Sequence, residues 1–307
     1  MKLKNISFLS IIALVLLYAL CILVCGCSGE ENTLKEEDGS MRFTVYYPGQ
    51  QEVKAVRATD KSFENSDVLG LYVTDATQPL QVSGNEINNA AMTYDGTVWK
   101  PSTPVYWNNG KHYNVYAYYP YITSPASVDD CTFSVQTDQT TARSADGLGG
   151  YEASDFLWAS KNDLAASKDP VQLTFKHRMS RFNIVLIQGS DYEGDFPEEK
   201  DIAVYVHNTV TEATVDMASG MVTKNPYKSG QTIRAKALGN QKYTAIVVPQ
   251  RLDNNLPLVE VVMKGVSYLV ESRFQFKMGM QHTMMITISK NPEQVKIEIG
   301  GEIVDWD

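Results

Sequence analysis

Apolar and polar residues alternate along most of the chain, and this pattern predicts β-strands from residue 41 almost to the end. Met41–Pro48 reads M-R-F-T-V-Y-Y-P, as expected for a strand with one buried face. Asp67–Thr74 is nearly all apolar, which predicts a strand covered on both faces. Turn signals such as Lys264-Gly265 recur at a spacing of roughly 8–12 residues, which is typical of antiparallel sandwiches. No stretch predicts a long amphipathic helix.

The same pattern predicts further strands or short apolar runs. They are Thr93–Trp99, Val105–Trp107, Tyr113–Tyr121, Cys131–Val135, Phe156–Ala159, Val171–Phe175, Arg181–Gln188, Ile202–His207, Glu212–Met217, Met221–Thr223, Gln231–Lys236, Lys242–Val248, Pro257–Met263, Val266–Arg273, His282–Ser289 and Val295–Val304. Thr137–Tyr151 is polar and rich in glycine, which predicts a loop. The pattern of apolar and polar residues changes near His177, and we place the domain boundary there. We therefore predict an all-β chain of two tandem antiparallel β-sandwich domains, residues 41–180 and 181–307.

The first 27 residues have the three-part layout of a secretory signal peptide. Lys2 and Lys4 form a basic segment, and Phe8–Val24 is apolar and uncharged. Val24-Cys25-Gly26-Cys27 follows and resembles the bacterial lipobox, in which the last cysteine is acylated and the chain is cut before it. A small residue such as Gly26 suits the protease subsite. Cys27 is therefore the predicted lipidation site of an outer-membrane or otherwise surface-exposed lipoprotein.

Two alternatives remain open for this region. Cys25 could carry the lipid, although Val24 is a poorer fit before the cut. The apolar run could also be a plain membrane anchor, but it is at the short end of the roughly 20 residues that a spanning helix needs. Residues 28–40 are acidic and polar without periodicity, which predicts a tether.

The composition limits which partners the chain can bind and whether disulfide bonds can stabilise it. The formal charge of the 307-residue chain is −9, and it becomes −11 when Lys2 and Lys4 leave with the signal peptide. An acidic protein repels phosphate backbones, so we expect no nucleic-acid partner. Of the four cysteines, only Cys131 lies beyond the leader and the lipid site, which excludes an intramolecular disulfide. The fold must therefore be held by hydrophobic cores.

Aromatic residues are concentrated between residues 99 and 121. The set comprises Trp99, Tyr106, Trp107, Tyr113, Tyr116, Tyr118, Tyr119 and Tyr121. Exposed rings of this kind could stack on carbohydrate, because they combine flat apolar faces with polar tips. Alternation in strands sends half of them inward, which favours a sandwich core with an aromatic rim.

No motif for catalysis or metal binding is found. His112, His177, His207 and His282 are isolated from one another and from Cys or Glu at metal-ligand spacing. A Ser-His-Asp site assembled across the fold is possible in principle, since such triads depend on geometry. His177, at a strand end, is interpreted as a packing residue. The acidic pairs Asp129-Asp130 and Glu198-Glu199 are interpreted as solvated loops. We expect no cofactor and no enzymatic activity.

A series of short motifs runs in order along nearly the whole chain. They are Arg57-Ala58-Thr59-Asp60, Phe63, Asp67-Val68-Leu69-Gly70-Leu71-Tyr72, Asp95-Gly96, Trp99, Tyr106-Trp107, Tyr116-Ala117-Tyr118-Tyr119-Pro120, Asp138-Gln139, Asp155-Phe156-Leu157-Trp158-Ala159, Phe175-Lys176-His177-Arg178-Met179-Ser180 and Ile303-Val304-Asp305-Trp306. With these motifs the chain resembles the fimbrillin family, the Mfa-like group of Bacteroidetes surface pili.

The resemblance implies two transthyretin-like sandwich domains and a lipoprotein precursor that is assembled into a pilus supporting cell adhesion. In polymerising members, a trypsin-like protease cuts after an arginine and removes the first strand, and the groove accepts a strand from a neighbouring subunit. Mapped onto this sequence, Met41–Pro48 is the strand that leaves and Arg57 is the proteolytic processing site. Arg42 is a competitor, but a cut there leaves most of the strand behind.

One departure from the family pattern keeps a second function open. The printed chain stops at Trp306-Asp307 without an extended appendage, so a donor strand would have to come from Val295–Val304. The alternatives are a membrane-retained pilus anchor that keeps its lipid, and a surface lipoprotein that binds glycans. The expected partners are other pilin subunits, the outer membrane through the lipid, and host or bacterial surface ligands.

Overall fold

The computed structural model describes residues 39–50, 62–145, 147–291, 296–298 and 304–306. Residues Gly39–Asp307 form one compact unit. The predicted signal peptide (1–27), most of the predicted tether (28–40), the lipidation site Cys27 and the processing site Arg57 lie outside the described residues. In the part of the chain that is described, no helix is long and apolar enough to cross a membrane.

The regular secondary structure of the described residues is almost entirely β, as the alternation predicts. The strands are β1 (Phe43–Tyr46), β2 (Val68–Asp75), β3 (Ile87–Tyr94), β4 (Trp99–Pro101), β5 (Tyr113–Tyr119), β6 (Cys131–Ser134), β7 (Leu157–Leu164), β8 (Val171–Thr174), β9 (Lys176–His177), β10 (Ser180–Gln188), β11 (Ile202–Thr209), β12 (Glu212–Asp216), β13 (Met221–Lys224), β14 (Gln231–Arg234), β15 (Lys236–Gly239), β16 (Lys242–Val247), β17 (Gln250–Met263), β18 (Val266–Phe276), β19 (Met280–Ile288), β20 (Lys296–Glu298) and β21 (Val304–Asp305). Two short 3-10 helices are Glu152–Ser154 and Glu199–Asp201.

These strands form five sheets. Two are six-stranded: β4-β3-β2-β5-β7-β9, and β15-β16-β10-β19-β20 with β21 also pairing with β19. The others have the orders β14-β11-β17-β18, β13-β12-β6 and β1-β8. Most pairs are antiparallel, as predicted for sandwiches. The all-β fold class is thereby confirmed.

The central strands of the first sheet are buried on both faces. In β2, Leu69, Leu71 and Val73 are fully buried in one hydrophobic cluster, together with the side chains of β1 and β8. Tyr72 is equally buried but belongs to a second, larger cluster, which also contains Phe182 of β10. The prediction that both faces of the strand at Asp67–Thr74 are covered is confirmed. Side chains on one face enter the smaller cluster, and Tyr72 on the other face enters the larger one.

The aromatic block is mainly core. Tyr113, Tyr116, Tyr118 and Tyr119 are all buried, and their parity divides them between the two clusters. Tyr106 is half exposed, at 50%. The interpretation as a sandwich core with a rim is confirmed for these four tyrosines.

Strand boundaries within that block were partly wrong. The predicted strand Thr93–Trp99 spans a turn: β3 ends at Tyr94 and β4 begins at Trp99, and these two residues pair. The Asp95 carboxylate accepts N–H bonds from Thr97 and Val98, both at 2.9 Å, and this stabilises the turn. The strand Ile87–Tyr94 was missed because I-N-N-A-A-M does not alternate and is poor in β-branched residues.

Two of the strand pairs in the described part of the chain are parallel, which corrects the expectation of wholly antiparallel sheets. β1 pairs with β8, and β10 pairs with β19. Parallel neighbours need long crossovers, and local turn signals reveal only hairpins. The sequence therefore gave no indication of these two contacts.

Contacts also cross the predicted boundary between residues 180 and 181. β6 pairs with β12 from Glu212↔Ser134 to Val215↔Cys131. The side chain of Gln139 donates to the carbonyl of Ile246 at 2.8 Å and accepts its N–H at 2.8 Å. The division into domains 41–180 and 181–307 stays a prediction.

Candidate strand-exchange site

The first strand is held by a short ladder along one edge, and the residues just before it are bonded along the other. Along one edge, β1 runs parallel to β8 from Phe43↔Val171 to Tyr46↔Thr174. Hydrogen bonds to the Arg42 carbonyl at 2.7 Å and the Tyr46 carbonyl at 3.0 Å flank this ladder. Along the other edge, the Met41 N–H donates to the Val105 carbonyl at 2.7 Å. The strand is thus an inserted element with only four paired residues in its sheet.

Alternate side chains of this segment fill part of the smaller cluster. Met41 is buried, and Phe43, Val45 and Tyr47 are partly buried against the same core. All four have the same parity, so the period-2 pattern seen in the sequence is what inserts into the groove. Removing the strand would expose the apolar side chains that these residues cover.

Phe63 is the centre of an aromatic cluster at the end of this groove. Its ring lies edge-on to Tyr47 at 5.3 Å, Trp99 at 5.0 Å, Tyr119 at 5.5 Å and Phe175 at 5.6 Å between centroids. Such edge-to-face pairs are favourable beyond the area they bury. Phe63 therefore closes the groove from the segment that follows Arg57 in sequence.

A cavity of about 350 Å³ lies beside this cluster. Tyr47, from the end of the first strand, and Trp306, from the C-terminal segment, both line it. Its charged lining includes Asp67, Asp155 and Arg143. The cavity is the place where the two ends of the described chain approach the same side chains.

Asp155 connects those two ends. The Tyr47 hydroxyl donates to the Asp155 carboxylate over a long 3.5 Å, and His177 Nδ1 lies 2.9 Å from its other oxygen. The Trp306 ring stacks on the His177 ring, 3.8 Å away and inclined by 3°. Burial, followed by the Asp155 charge, raises the pKa of Tyr47 far above its ordinary value, so the hydroxyl stays a donor.

A second buried carboxylate, Asp67, organises the opposite side of the cavity. Arg143 Nη2 donates to it at 2.6 Å, the Tyr119 hydroxyl at 3.1 Å and the Glu64 N–H at 2.7 Å. Burial and the Asp67 charge raise the pKa of Tyr119 well above its usual range. Both buried carboxylates are therefore hydrogen-bonded, as a stable interior requires.

The C-terminal segment is docked by its backbone as well. β21 pairs with the start of β19 through Met280↔Asp305 and Gln281↔Val304. The Trp306 N–H donates to the Gly279 carbonyl at 2.9 Å, and the side chain is buried. The predicted strand Val295–Val304 corresponds in the described residues to β20 and the start of β21.

Several sequence interpretations can now be compared with this geometry. His177 is buried and packed at a strand end, as interpreted, but it also contacts Asp155 and Trp306. Asp155 and Trp306 each belong to one of the family-like motifs, and nothing in their spacing along the chain indicates that they meet. Cys131 is buried and free. Within the described ranges, no group of three or more His, Cys, Asp or Glu residues could hold a metal ion.

The chain is similar to known proteins in sequence and in fold. A protein-family model for fimbrillin-like proteins matches residues 56–306, most of the chain. The chain belongs to the fimbrillin-like family. As such it is a structural protein and not an enzyme, and the family indicates a location at the cell surface and a role connected with fimbriae.

Solved structures agree on the fold of this fimbrillin-like protein. A protein from Bacteroides uniformis with a proposed role in cell adhesion aligns with a TM-score of 0.65 and 18% identity, over 88% of this chain and 99% of that one. A second such protein, from Bacteroides ovatus, aligns with a TM-score of 0.61 and 18% identity, over 87% and 97%. A fimbrial protein from Bacteroides vulgatus gives 0.52 and 14%, over 88% and 100%. No match is found among curated proteins.

Proposed function

We propose that this fimbrillin-like protein is a structural subunit of a surface pilus, exported as a lipoprotein acylated at Cys27 and assembled by β-strand exchange. The observation that carries the proposal is the way β1 is held. It is an edge-inserted strand with a four-residue ladder, and its inward side chains fill a groove that the rest of the chain builds. A vacated groove of this kind favours occupation by another strand, because backbone groups and apolar pockets are both left open.

Arg57 is the processing site that suits this arrangement. It follows β1 in sequence and precedes Phe63, so a cut there would release the whole strand and leave the aromatic cluster with Trp99, Tyr119 and Phe175 in place. Arg42 directly precedes β1, and its guanidinium donates to the Lys168 carbonyl. A cut at Arg42 would leave β1 attached.

The membrane-retained anchor is the second candidate, because the C-terminal segment is docked on the rest of the chain. Trp306 is buried on His177, and β21 is paired with β19. These contacts would have to break before the C-terminal segment could be donated to a neighbour. A subunit that accepts a strand, or keeps its own, without donating one fits this docked end. Glycan binding by the aromatic block is less favoured, because its tyrosines are mainly buried.

The experiment that tests the proposal is to determine the N-terminus of the protein recovered from the native cell surface, by intact mass and terminal peptide sequencing. A chain that begins at Ala58 supports a polymerising subunit. A chain that begins at acylated Cys27 supports the anchor and contradicts removal of β1.

Two variants, each with a matched control, test the two proposed sites separately. Cys27→Ser should abolish incorporation of labelled palmitate, whereas Cys25→Ser should leave it intact. Arg57→Ala should prevent the appearance of the Ala58 terminus and of high-mass polymers, whereas Arg42→Ala should not. Unchanged polymers in the Arg57→Ala variant would contradict processing at this residue.

A further inference from the structure

The longest edge strand among the described residues is β18. It pairs with β17 along one side, and no described strand pairs with its other side. The opposite edge of the same sheet is covered differently: Arg234 of β14 donates to the Thr137 carbonyl at 2.7 Å and accepts the Gln139 N–H at 3.1 Å. Long regular edges present unpaired N–H and C=O groups that favour pairing with another chain.

The side chains of β18 divide cleanly by parity. Tyr268, Val270, Ser272 and Phe276 are buried, and Phe274 packs against the larger cluster. The outward set, Leu269, Glu271, Arg273 and Gln275, is exposed. Neither Glu271 nor Arg273 forms an ion pair with another described residue. The strand therefore presents one negative and one positive side chain, two positions apart, on the same solvent face.

We propose that β18 is a self-association surface, which pairs antiparallel with β18 of a second copy of this chain around a two-fold axis at Ser272. In this register Glu271 of each copy lies opposite Arg273 of the other, so that two ion pairs form. Val270 faces Phe274 of the other copy on the inner side. Cross-strand pairs of opposite charge are stabilising, and like charges directly opposite are destabilising.

Neighbouring registers are disfavoured by the same side chains. A slip by one residue would bring inward side chains opposite outward ones. Centring the axis on Glu271 or on Arg273 places two like charges directly opposite each other. The Ser272 register also extends the ladder from Tyr268 to Phe276, most of the strand. The two backbone irregularities opposite this region, between Leu252 and Leu256 and between Pro257 and Val259, have their extra residues in β17 and leave β18 continuous.

The resulting contact is isologous and closed, as two-fold interfaces are. It joins two four-stranded sheets into one continuous sheet and covers the partly exposed Leu269. It uses neither β1 nor the groove beneath it. This self-association is therefore separate from strand exchange, and it could join subunits side by side while exchange joins them end to end.

The test is sedimentation velocity over a range of concentrations, with the chain from Ser28 onward, which retains the compact unit Gly39–Asp307. Its first strand is uncut, so strand exchange does not contribute. We expect a reversible dimer. Glu271→Arg and Arg273→Glu should each weaken the association constant by about tenfold or more, because both ion pairs become repulsive. The double variant E271R/R273E should restore it.

A mixing experiment separates pairing from any folding defect. The Glu271→Arg chain carries two positive side chains on this edge and the Arg273→Glu chain two negative ones, so their mixture should form a heterodimer. Lys161→Glu, an exposed charge reversal on β7, is the matched control and should leave the dimer unchanged. A monomer at all concentrations, or a dimer insensitive to both single reversals, would overturn the proposal.

Discussion

Strands β1 and β10 are each paired in parallel with another strand, but they are held to very different extents. β1 has a four-residue ladder with β8, and its inward residues Phe43 and Val45 are only partly buried. β10 lies inside a sheet, paired with β16 from Ser180 to Val185 and with β19 from Arg181 to Gln188. Its residues Phe182 and Ile184 are fully buried. Deeper burial and pairing on both sides therefore make β10 the more firmly held of the two strands.

The largest expected effect is at Phe182 in β10. Its ring contacts Phe274 at 5.0 Å and Phe276 at 5.3 Å between centroids. Phe182→Ala should lower the free energy of unfolding by about 3–5 kcal/mol, because it leaves a cavity in a fully buried core. Urea denaturation of the chain from Ser28 measures it. Phe182→Leu, which keeps most of the volume, should cost clearly less. Similar losses in the two variants would contradict the cavity explanation.

A smaller loss is expected in β1. Phe43→Ala should lower the free energy of unfolding by about 1–2 kcal/mol, since its side chain is only partly buried and loses less apolar contact. The same denaturation series measures it, with Thr44→Ala, the neighbour of opposite parity, as control. An equal loss of unfolding free energy in the Phe43→Ala and Phe182→Ala variants would contradict the weaker attachment of β1.

Acid should destabilise the core around β10 through His282, which pairs with Phe182 across the β10–β19 ladder. Burial, and then the charge of Lys277, lowers the pKa of His282, and its Nε2 accepts the Lys277 N–H at 3.1 Å. The folded pKa therefore lies below the unfolded value of about 6.5. The unfolded chain binds the extra proton first, so stability falls as pH drops below that value.

The measurement is the melting temperature at pH 7 and pH 5. His282→Gln, whose amide oxygen can still accept the N–H, should reduce the fall on acidification. His112→Gln, at an exposed histidine next to Asp163, is the control. Equal pH dependence in the His282→Gln variant and the unaltered chain would contradict this assignment.

The last prediction concerns thiol reactivity instead of stability, and it compares β1 with Cys131, which lies in β6 within the larger cluster. Burial raises the pKa of Cys131 to about 11. Relative to its ordinary pKa of 9, the thiolate fraction near pH 8 falls about a hundredfold, so labelling by a disulfide reagent should be correspondingly slow. A cysteine placed in the first strand, in the variant V45C/C131S, should react faster because β1 opens more easily. Slower labelling at Val45→Cys would reverse the comparison.

Much of the fold could be predicted from local pattern, and the errors have identifiable causes. Arg181–Gln188 and Lys242–Val248 were predicted to within a residue or two, because alternation and β-branched residues mark them. Ile87–Tyr94 was missed, because its asparagines and alanines carry no such mark. The parallel pairs were missed too, since their partners are more than 90 residues apart for β10 and more than 120 for β1.

The sequence by itself determined the all-β class and the alternation that inserts Met41, Phe43, Val45 and Tyr47. These follow from properties of neighbouring residues. Only the tertiary structure decided that Asp155 would join Tyr47 to His177 and Trp306, and that β18 would be left at an edge while β14 was covered. Such contacts depend on how segments that are far apart in the sequence pack together. Local patterns of residues therefore do not predict them.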